Sequence, residues 1–274
     1  MRDNTREAHY RSGPKSLSIS GGSSRIGPLL FTGTSDTVQS QHILIAPLLD
    51  DVAGRQAQGS IAALFDVDNT LLPGEASEIG FFRFLWRRGL VGWGELSRSI
   101  AWLAGHVPPF SPHHLRERKV YLTGKCPSDI ESYAREFCRA EMIDKLSLQG
   151  RARLEEHRRA GHQLILVTGA PEFLIVPLAE FLDVPTVFAA RPEQRDSVYT
   201  GALLPPFPYG RGKRELIVAH AQEMGLDLAR SYAYGDSPGD HDILELVGHP
   251  QVVNPIRGMA RTAQQRGWPV ARWE

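Results

Sequence analysis

The sequence predicts an α/β fold in which a parallel β-sheet is interrupted by one all-helical insert. Two features of the sequence predict this. Short apolar runs alternate with helical patterns over most of the second half of the chain. Between the first apolar run and the second, residues 75–150 carry helical patterns alone. With 274 residues, the chain is long enough for a sheet domain and a smaller helical one.

The predicted strands are short and continuously apolar. They cover residues 61–65, 163–167, 231–234 and 251–253. Such runs suit a Rossmann-like parallel sheet, because helices cover both faces of that sheet and leave its strands no solvent-facing side. Residues 191–204 are instead typical of a short β-hairpin.

Helical patterns connect the strands and fill the insert. The patterns at 171–182 and 214–225 supply the crossovers that parallel strands require, and Gly225 is placed to cap the second helix. Within the insert, the patterns cover residues 75–88, 93–105, 111–122 and 128–143. We therefore expect an α/β core formed by residues 58–74 and 151–274, with residues 75–150 as a helical cap domain.

The N-terminal segment, residues 1–57, differs in composition from the rest of the chain. It is rich in Ser, Gly, Thr and Gln and offers too little apolar surface to offset the entropy of an ordered chain. We expect this segment to be largely disordered. Residues 43–49 are the stretch apolar enough for short ordered structure.

Charge and composition argue against several kinds of partner. The 31 basic and 31 acidic residues balance, which gives no electrostatic basis for binding nucleic acid or an anionic membrane. No apolar run approaches the roughly 18 residues that a membrane-spanning helix needs. The N-terminus lacks a secretory pattern, and Cys126 and Cys138 form no C-x-x-C pair. These features favour a protein of the reducing cytoplasm.

Residues capable of catalysis follow the first two predicted strands. Asp66 and Asp68 lie two residues apart after the first strand and point to the same side. Two carboxyl groups this close can differentiate into an ionised nucleophile and a protonated acid. After the second strand, Thr168 and Gly169 provide a hydroxyl group and accessible backbone N–H groups, which suit an anion.

Charged residues occupy two later positions of the same kind. Lys213 opens a helix after a glycine-rich turn, where its ammonium group could neutralise phosphoryl charge; Arg211 and Arg214 are local rivals for this role. Asp236 and Asp240 follow the third strand, and their carboxylates suit a hard divalent cation such as Mg²⁺. Because the carboxyl ends of parallel strands meet at one edge of a sheet, we expect all these groups to converge.

Together and in this order, the four fragments resemble the four motifs of the haloacid dehalogenase superfamily of phosphohydrolases. Within it, residues from about 60 to 274 resemble the phosphoserine-phosphatase-like branch, whose cap domain the helical insert matches. The resemblance implies a Mg²⁺-dependent phosphomonoester hydrolase that acts on a small phosphorylated metabolite through an aspartyl-phosphate intermediate.

The resemblance also implies roles for the matching residues. Asp66 attacks phosphorus and forms the phospho-enzyme. Asp68 protonates the leaving oxygen and then activates water. Thr168, the backbone of Gly169 and Lys213 hold the phosphoryl oxygens.

The same resemblance implies a metal site. Mg²⁺ is expected to bind the carboxylates of Asp66 and Asp236 and the backbone carbonyl of Asp68. Asp240 would lie near the metal, either as a ligand or where it could orient Lys213 or a metal-bound water.

Two positions depart from the family pattern. Glu75, nine residues after the nucleophile, matches a substrate-contacting glutamate of phosphoserine phosphatases, but its flanking residues differ and Glu78 could serve instead. Gly239 stands where relatives often have Asn.

Two other functions stay open from the sequence. A phosphotransferase would pass the same aspartyl-phosphate group to an acceptor other than water. A non-catalytic binding protein would retain the site in a vestigial form. A carbon–halide hydrolase fits less well, because that branch does not use a second aspartate such as Asp68.

Overall fold

The computed structural model describes residues 43–44, 59–94, 97, 101 and 118–274. These residues lie in one unit, Ser40–Glu274. Most of the N-terminal segment for which we predict disorder lies outside the described residues, as do most of the predicted helices at 93–105 and 111–122.

A mostly parallel sheet forms the centre of the described structure. Its strands are β1 (Ile43–Leu44), β2 (Ala62–Phe65), β3 (Gln163–Pro171), β4 (Thr186–Arg195), β5 (Val198–Leu204), β6 (Tyr232–Gly235), β7 (His249–Val253) and β8 (Val270–Ala271). The order across the sheet is β1-β4-β3-β2-β6-β7-β8, and β5 pairs with β4 as an antiparallel hairpin. All neighbours in this order are parallel except β1 and β4. The predicted α/β fold is confirmed.

The central strand, β2, lies where the strand order reverses. β3 and β4 continue the sheet on one side of it, and β6 and β7 continue it on the other. Every residue of β2 is buried, as its continuous apolar sequence predicts. In sheets of this kind, ligands bind beyond the carboxyl ends of the strands at the reversal point. That position is occupied here by Asp66.

Helices cover the sheet and fill the segment between β2 and β3. They are α1 (Ser77–Arg87), α2 (Pro127–Phe137), α3 (Leu148–Arg159), α4 (Glu172–Leu182), α5 (Arg211–Met224), α6 (His241–Leu244) and α7 (Met259–Arg266). The predicted helices at 75–88, 128–143, 171–182 and 214–225 correspond to α1, α2, α4 and α5. Gly225 caps α5 in the left-handed conformation, with φ of 63°. None of the described helices is both long and apolar enough to cross a bilayer.

The segment before α2 departs from the helix predicted at 111–122. Arg118 forms an antiparallel bridge with Ala202, and the Lys119 N–H group donates to the Gly201 carbonyl at 2.7 Å. Among the described residues of this predicted helix, 118–122, a helical turn is made by Val120–Leu122 alone, and it is of the 3₁₀ type. Residues 118 and 119 are therefore extended, because the free edge of β5 offers backbone partners that a helix would leave unused.

Aromatic side chains connect the helices of the insert to the sheet domain. Phe81 and Phe84 of α1 pack against Phe137 of α2, with ring centroids 5.6 and 5.4 Å apart. Phe81 also contacts Phe173 of α4, at 5.6 Å. Because α4 covers the sheet, one buried apolar cluster extends from the insert into the α/β core.

Candidate active site

Asp66 directly follows β2, and the backbone holds it at the edge of the sheet. Its N–H group donates to the Tyr234 carbonyl of β6 at 3.0 Å. The chain then turns tightly, since the N–H groups of Thr70 and Leu72 both donate to the Val67 carbonyl. Asp66 is only 6% exposed, so its carboxylate is largely shielded from water.

Lys213, in the first turn of α5, links two carboxylates. Its Nζ donates to Oδ1 of Asp66 and to Oδ1 of Asp240, each at 2.6 Å. Burial alone lowers the pKa of Lys213, but the charges of Asp240 and Asp66 outweigh burial and raise that pKa above its ordinary value. The rivals Arg211 and Arg214 are exposed. Lys213 is therefore a charged, immobilised ammonium group beside Asp66.

Asp240 organises the loop that follows β6. Its Oδ2 accepts hydrogen bonds from the N–H groups of Asp236 and Ser237 and from Oγ of Ser237, at 3.2, 3.1 and 2.9 Å. A Cβ atom on Gly235 would lie 2.4 Å from Cβ of Asp240, so only glycine allows this close approach. Both oxygens of Asp240 are thus engaged, one by Lys213 and one by the loop.

Gly239 has a steric explanation within this chain. A Cβ atom at this position would lie 2.4 Å from the ring of Tyr209, too close for any side chain unless that ring moves. An asparagine, which the family resemblance leads us to expect here, therefore does not fit beside Tyr209 in this position of its ring.

Three buried carboxylates form a cluster that could hold a metal ion. Oxygens of Asp66, Asp236 and Asp240 lie within 4.8 Å of one another. Burial, and then the charge of Asp240, raise the pKa of Asp66 well above its ordinary value. Burial also raises the pKa of Asp236 to about 6, although Asn69 donates to its Oδ2 at 2.9 Å. One ammonium group, that of Lys213, cannot balance three buried carboxylates, so the donor set suits a divalent cation.

Asp68 lies in the loop after β2, beside the first residue of α1, and is half-buried. Its Oδ1 accepts a hydrogen bond from the Ser77 N–H group at 2.8 Å. Burial raises the pKa of Asp68 above its ordinary value; the hydrogen bond from Ser77 opposes this rise, and the negative charge of Glu78 adds to it. A carboxyl group with a raised pKa holds its proton at higher pH, which an acid catalyst near neutral pH requires.

One cavity of about 700 Å³ brings these groups together, and we call it the main cavity. The residues predicted for the site that line it are Asp66, Asp68, Thr168, Gly169, Lys213, Asp236 and Asp240. Thr168 is 1% exposed, and its Oγ1 accepts from the Ala170 N–H group at 3.2 Å. The convergence follows from the fold. The aspartates follow β2 or β6, and Lys213 lies in the first turn of α5. Thr168 and Gly169 lie within the last residues of β3, because that strand extends to Pro171 and does not end before Thr168 as the sequence predicts.

Glu75 does not line the main cavity. It is exposed, forms an ion pair with Arg83 and borders a separate cavity of about 160 Å³. Glu78 lines the main cavity instead, where it pairs with Lys119 and accepts a hydrogen bond from the Tyr121 hydroxyl at 3.1 Å. The structure thus places Glu78, rather than Glu75, in the cavity that contains the carboxylate cluster.

Comparison with known proteins identifies the family. Residues 63–245 match the family described as haloacid dehalogenase-like hydrolase, a range that contains the four motif fragments. The chain belongs to this family. It is 32% identical over 219 residues to the "Inhibition of morphological differentiation protein" of Streptomyces azureus, which covers 76% of this chain and 77% of that protein.

Two further proteins connect this haloacid dehalogenase-like hydrolase to phosphoserine phosphatases. It is 28% identical over 215 residues to a phosphoserine phosphatase of Mycobacterium tuberculosis, covering 76% of this chain and 70% of that protein. A crystal structure of phosphoserine phosphatase in its apo form shares the fold, with a TM-score of 0.53, 16% identity and coverage of 78% and 93%. The predicted resemblance to this branch of the superfamily is confirmed.

The cavity of this hydrolase also contains residues that the sequence patterns do not predict. Through its Nδ2 atom, Asn69 donates hydrogen bonds to Oδ2 of Asp236 and, at 3.0 Å, to the Asn254 carbonyl. Its backbone has a left-handed φ of 58°. Its position directly after Asp68, together with the tolerance of Asn for that conformation, is a signal that could have identified it. Lys119 and Arg257 also line the cavity, but long-range folding brings them there and no local pattern marks them.

Proposed function

We propose that this hydrolase is a Mg²⁺-dependent phosphomonoester phosphatase that forms a covalent phosphate ester on Asp66. The observation that carries the proposal is the pairing of Asp66 with Lys213 at 2.6 Å, inside a cavity that Asp68 also lines. A buried nucleophile, a fixed ammonium group and an acid with a raised pKa are the groups that a two-step phosphoryl transfer requires. Relatives named as phosphatases support the same function.

In the first step, the Asp66 carboxylate attacks phosphorus. The bond between phosphorus and the leaving oxygen breaks, and the leaving oxygen takes the electron pair of that bond and a proton from Asp68. Lys213, Thr168 and the backbone of Gly169 hold the phosphoryl oxygens and neutralise part of their charge. The products of this step are the free alcohol and a phosphorylated Asp66.

In the second step, water attacks the phosphorus of the phosphorylated Asp66. Asp68, now ionised, removes a proton from that water, and the bond between phosphorus and the Asp66 oxygen breaks. Inorganic phosphate leaves, Asp66 is a carboxylate again and Asp68 is protonated again. The same carboxyl group therefore serves as the acid in one step and as the base in the other.

The metal that the family implies fits the donor set of this site. We assign the carboxylates of Asp66 and Asp236 and the backbone carbonyl of Asp68 as its ligands. When bound there, Mg²⁺ supplies the positive charge that lets an anionic carboxylate approach a phosphate dianion. We assign Asp240 a different role, the orientation of Lys213, because hydrogen bonds already engage both of its oxygens.

We assign recognition of the leaving group to the insert at residues 75–150, acting as a cap. The groups from the α/β core, residues 58–74 and 151–274, contact the phosphoryl group, which every phosphomonoester shares. Glu78, Ile79 and Lys119 of the insert line the main cavity and can contact the part that differs between substrates. Relatives named phosphoserine phosphatase and histidinol-phosphatase make small phosphorylated metabolites the first substrates to examine.

Release of inorganic phosphate from a panel of phosphomonoesters tests this function. With Mg²⁺, the wild-type protein should release phosphate, Asp66→Asn should release none, and Asp68→Asn should be slower by about 10²–10⁴-fold. Acid quenching of Asp68→Asn should trap phosphate on the protein. Phosphate release by folded Asp66→Asn at the wild-type rate would contradict the mechanism. Phosphate transfer to an added alcohol in place of water would instead identify a phosphotransferase.

A further inference from the structure

The loop after β7 carries Ile256 and Arg257, which line the wall of the main cavity. Asn254, at the start of this loop, donates through Nδ2 to the Asn69 carbonyl at 2.9 Å, and Asn69 donates back to the Asn254 carbonyl at 3.0 Å. The Ile256 N–H group donates to the Asp236 carbonyl at 2.9 Å. The backbone at Arg257 is therefore tied to the loops that carry the carboxylate cluster.

The backbone of Arg257 is in an unusual conformation for this residue type. Its φ is 50°, in the left-handed region, and Gly258 follows with φ of 84°. In that region the Cβ atom of an ordinary residue crowds its own backbone, whereas glycine adopts it freely. The loop thus holds an arginine at a position whose backbone favours glycine. Strained residues of this kind cluster at ligand-binding sites.

The charge of Arg257 also distinguishes it from the other cations that line the main cavity. Lys213 is shared by two carboxylates of the site, and Lys119 is paired with Glu78. Arg257 is exposed and has no ion-pair or hydrogen-bond partner among the residues that the structure describes. Its guanidinium group is therefore available to an anion that enters the cavity.

The position of Arg257 separates it from the phosphoryl site. Asp236 follows β6, whereas Arg257 follows β7, the next strand of the sheet and about 4.8 Å away. Arg257 consequently lies to one side of the carboxylate cluster, on the wall of the main cavity. Ile79 and Ile256, both exposed on the cavity wall, supply apolar surface for the carbon skeleton of a leaving group.

We propose that Arg257 is a specificity-determining residue that binds a second anionic group, a carboxylate or a phosphate, on the leaving group of the substrate. The proposal rests on the phosphatase function proposed above. A guanidinium group binds either anion through two parallel hydrogen bonds, which fixes orientation as well as charge. The preferred substrates are therefore phosphomonoesters that carry a further negative charge beyond the reacting phosphate.

Phenyl phosphates that differ only in the para substituent test the proposal. Carboxylate and phosphonate substituents supply the two anions, methyl is neutral and aminomethyl is cationic. With Mg²⁺ present, kcat/KM is measured for each ester with wild-type protein and with Arg257→Ala. The ratio between variant and wild type cancels differences in leaving-group reactivity. This ratio should be about 10- to 100-fold lower for the anionic esters than for the methyl ester.

Two comparisons show which anionic group Arg257 binds and whether the effect is specific to Arg257. The anionic ester with the larger loss in Arg257→Ala, carboxylate or phosphonate, identifies which group the guanidinium binds. Arg261→Ala is the matched control, because Arg261 is exposed on α7 and does not line the main cavity. It removes the same charge four residues away and should leave all four esters unaffected.

The two proposals fail in distinguishable ways. An equal loss for all four esters in Arg257→Ala, or an equal effect of Arg261→Ala on the anionic esters, would overturn the role of Arg257 and leave the phosphatase function intact. The absence of phosphate release from every ester by wild-type protein with Mg²⁺ would overturn the function itself.

Discussion

Replacing Lys213 with methionine should destabilise the protein strongly, even without substrate. The side chains of Lys213, Asp66 and Asp240 are 3%, 9% and 1% exposed, so the substitution leaves two carboxylates buried without their cation. Removing one partner of a buried ion pair costs about 3–5 kcal/mol, and two carboxylates place this case at the upper end. For a domain of this size, the melting temperature should fall by about 6–20 °C.

Thermal unfolding of Lys213→Met beside Arg211→Met measures this effect. Arg211 lies two residues earlier on α5, and its side chain is 88% exposed, so its loss should change the free energy of unfolding by less than about 0.5 kcal/mol. The deficit of Lys213→Met should shrink as the pH falls, because a protonated carboxyl group needs no counter-charge. Equal melting temperatures for the two variants near neutral pH would refute the role of Lys213 as the counter-ion of the site.

Four further outcomes follow from the same structure. Chelation should abolish phosphate release, and added Mg²⁺ should restore it. Ca²⁺ should not restore phosphate release, because its larger and looser coordination shell would displace the attacking carboxylate. Turnover that persists after exhaustive chelation would contradict the metal dependence. Glu78→Ala should change the order of kcat/KM among substrates, and Glu75→Ala, outside the main cavity, should not. Burial lowers the pKa of His157 to about 4 from 6.5, so neutral His157 stabilises the fold above pH 6.5 and this stability is lost as the pH falls toward 4. Between pH 6.5 and 4, the free energy of unfolding measured with urea should therefore fall by about 2–3 kcal/mol less in His157→Gln than in the wild-type protein. Arg257→Gly should melt at a higher temperature than Arg257→Ala, since both lack the guanidinium group and only glycine relieves the strained backbone.

Elements whose signal is local were predictable from the sequence. The apolar run before Asp66 forms the central strand, because a strand buried on both faces requires consecutive apolar residues. Helix α5 ends before Gly225, because a left-handed cap favours glycine at that position. Helix α3, in contrast, was not predicted. Half of its residues, Leu148–Arg159, are charged, and it buries only Gly150, Leu154 and His157, so its apolar stripe is too narrow to give a clear helical period.

The charged residues that follow the strands were more predictable from the sequence than the other side chains that line the cavity. Residues such as Asp66 and Asp236 follow strands, and parallel strands bring their carboxyl ends together whatever the surrounding sequence. The side chains that meet a leaving group depend instead on details that no short pattern contains. Glu75 precedes α1 and Glu78 lies in its first turn, so the residue at which this helix begins decides which of them reaches the cavity. Lys119 reaches it only because its backbone pairs with Gly201, far along the chain.

That backbone pairing has a consequence for engineering substrate preference by exchanging segments between relatives. Residues 119–125 are joined to the β5 strand by hydrogen bonds from Lys119 to Gly201, from Gly124 to Tyr199 and from Tyr199 to Lys125, at 2.7, 2.8 and 2.9 Å. A Cβ atom on Gly201 would lie 2.3 Å from Oγ1 of Thr123, so the two segments are also matched in shape. An insert transplanted from a relative would therefore pack against a β-hairpin of different sequence and would lose these contacts. The transferable module is the insert together with the hairpin of β4 and β5, although some 35 residues separate them in the chain.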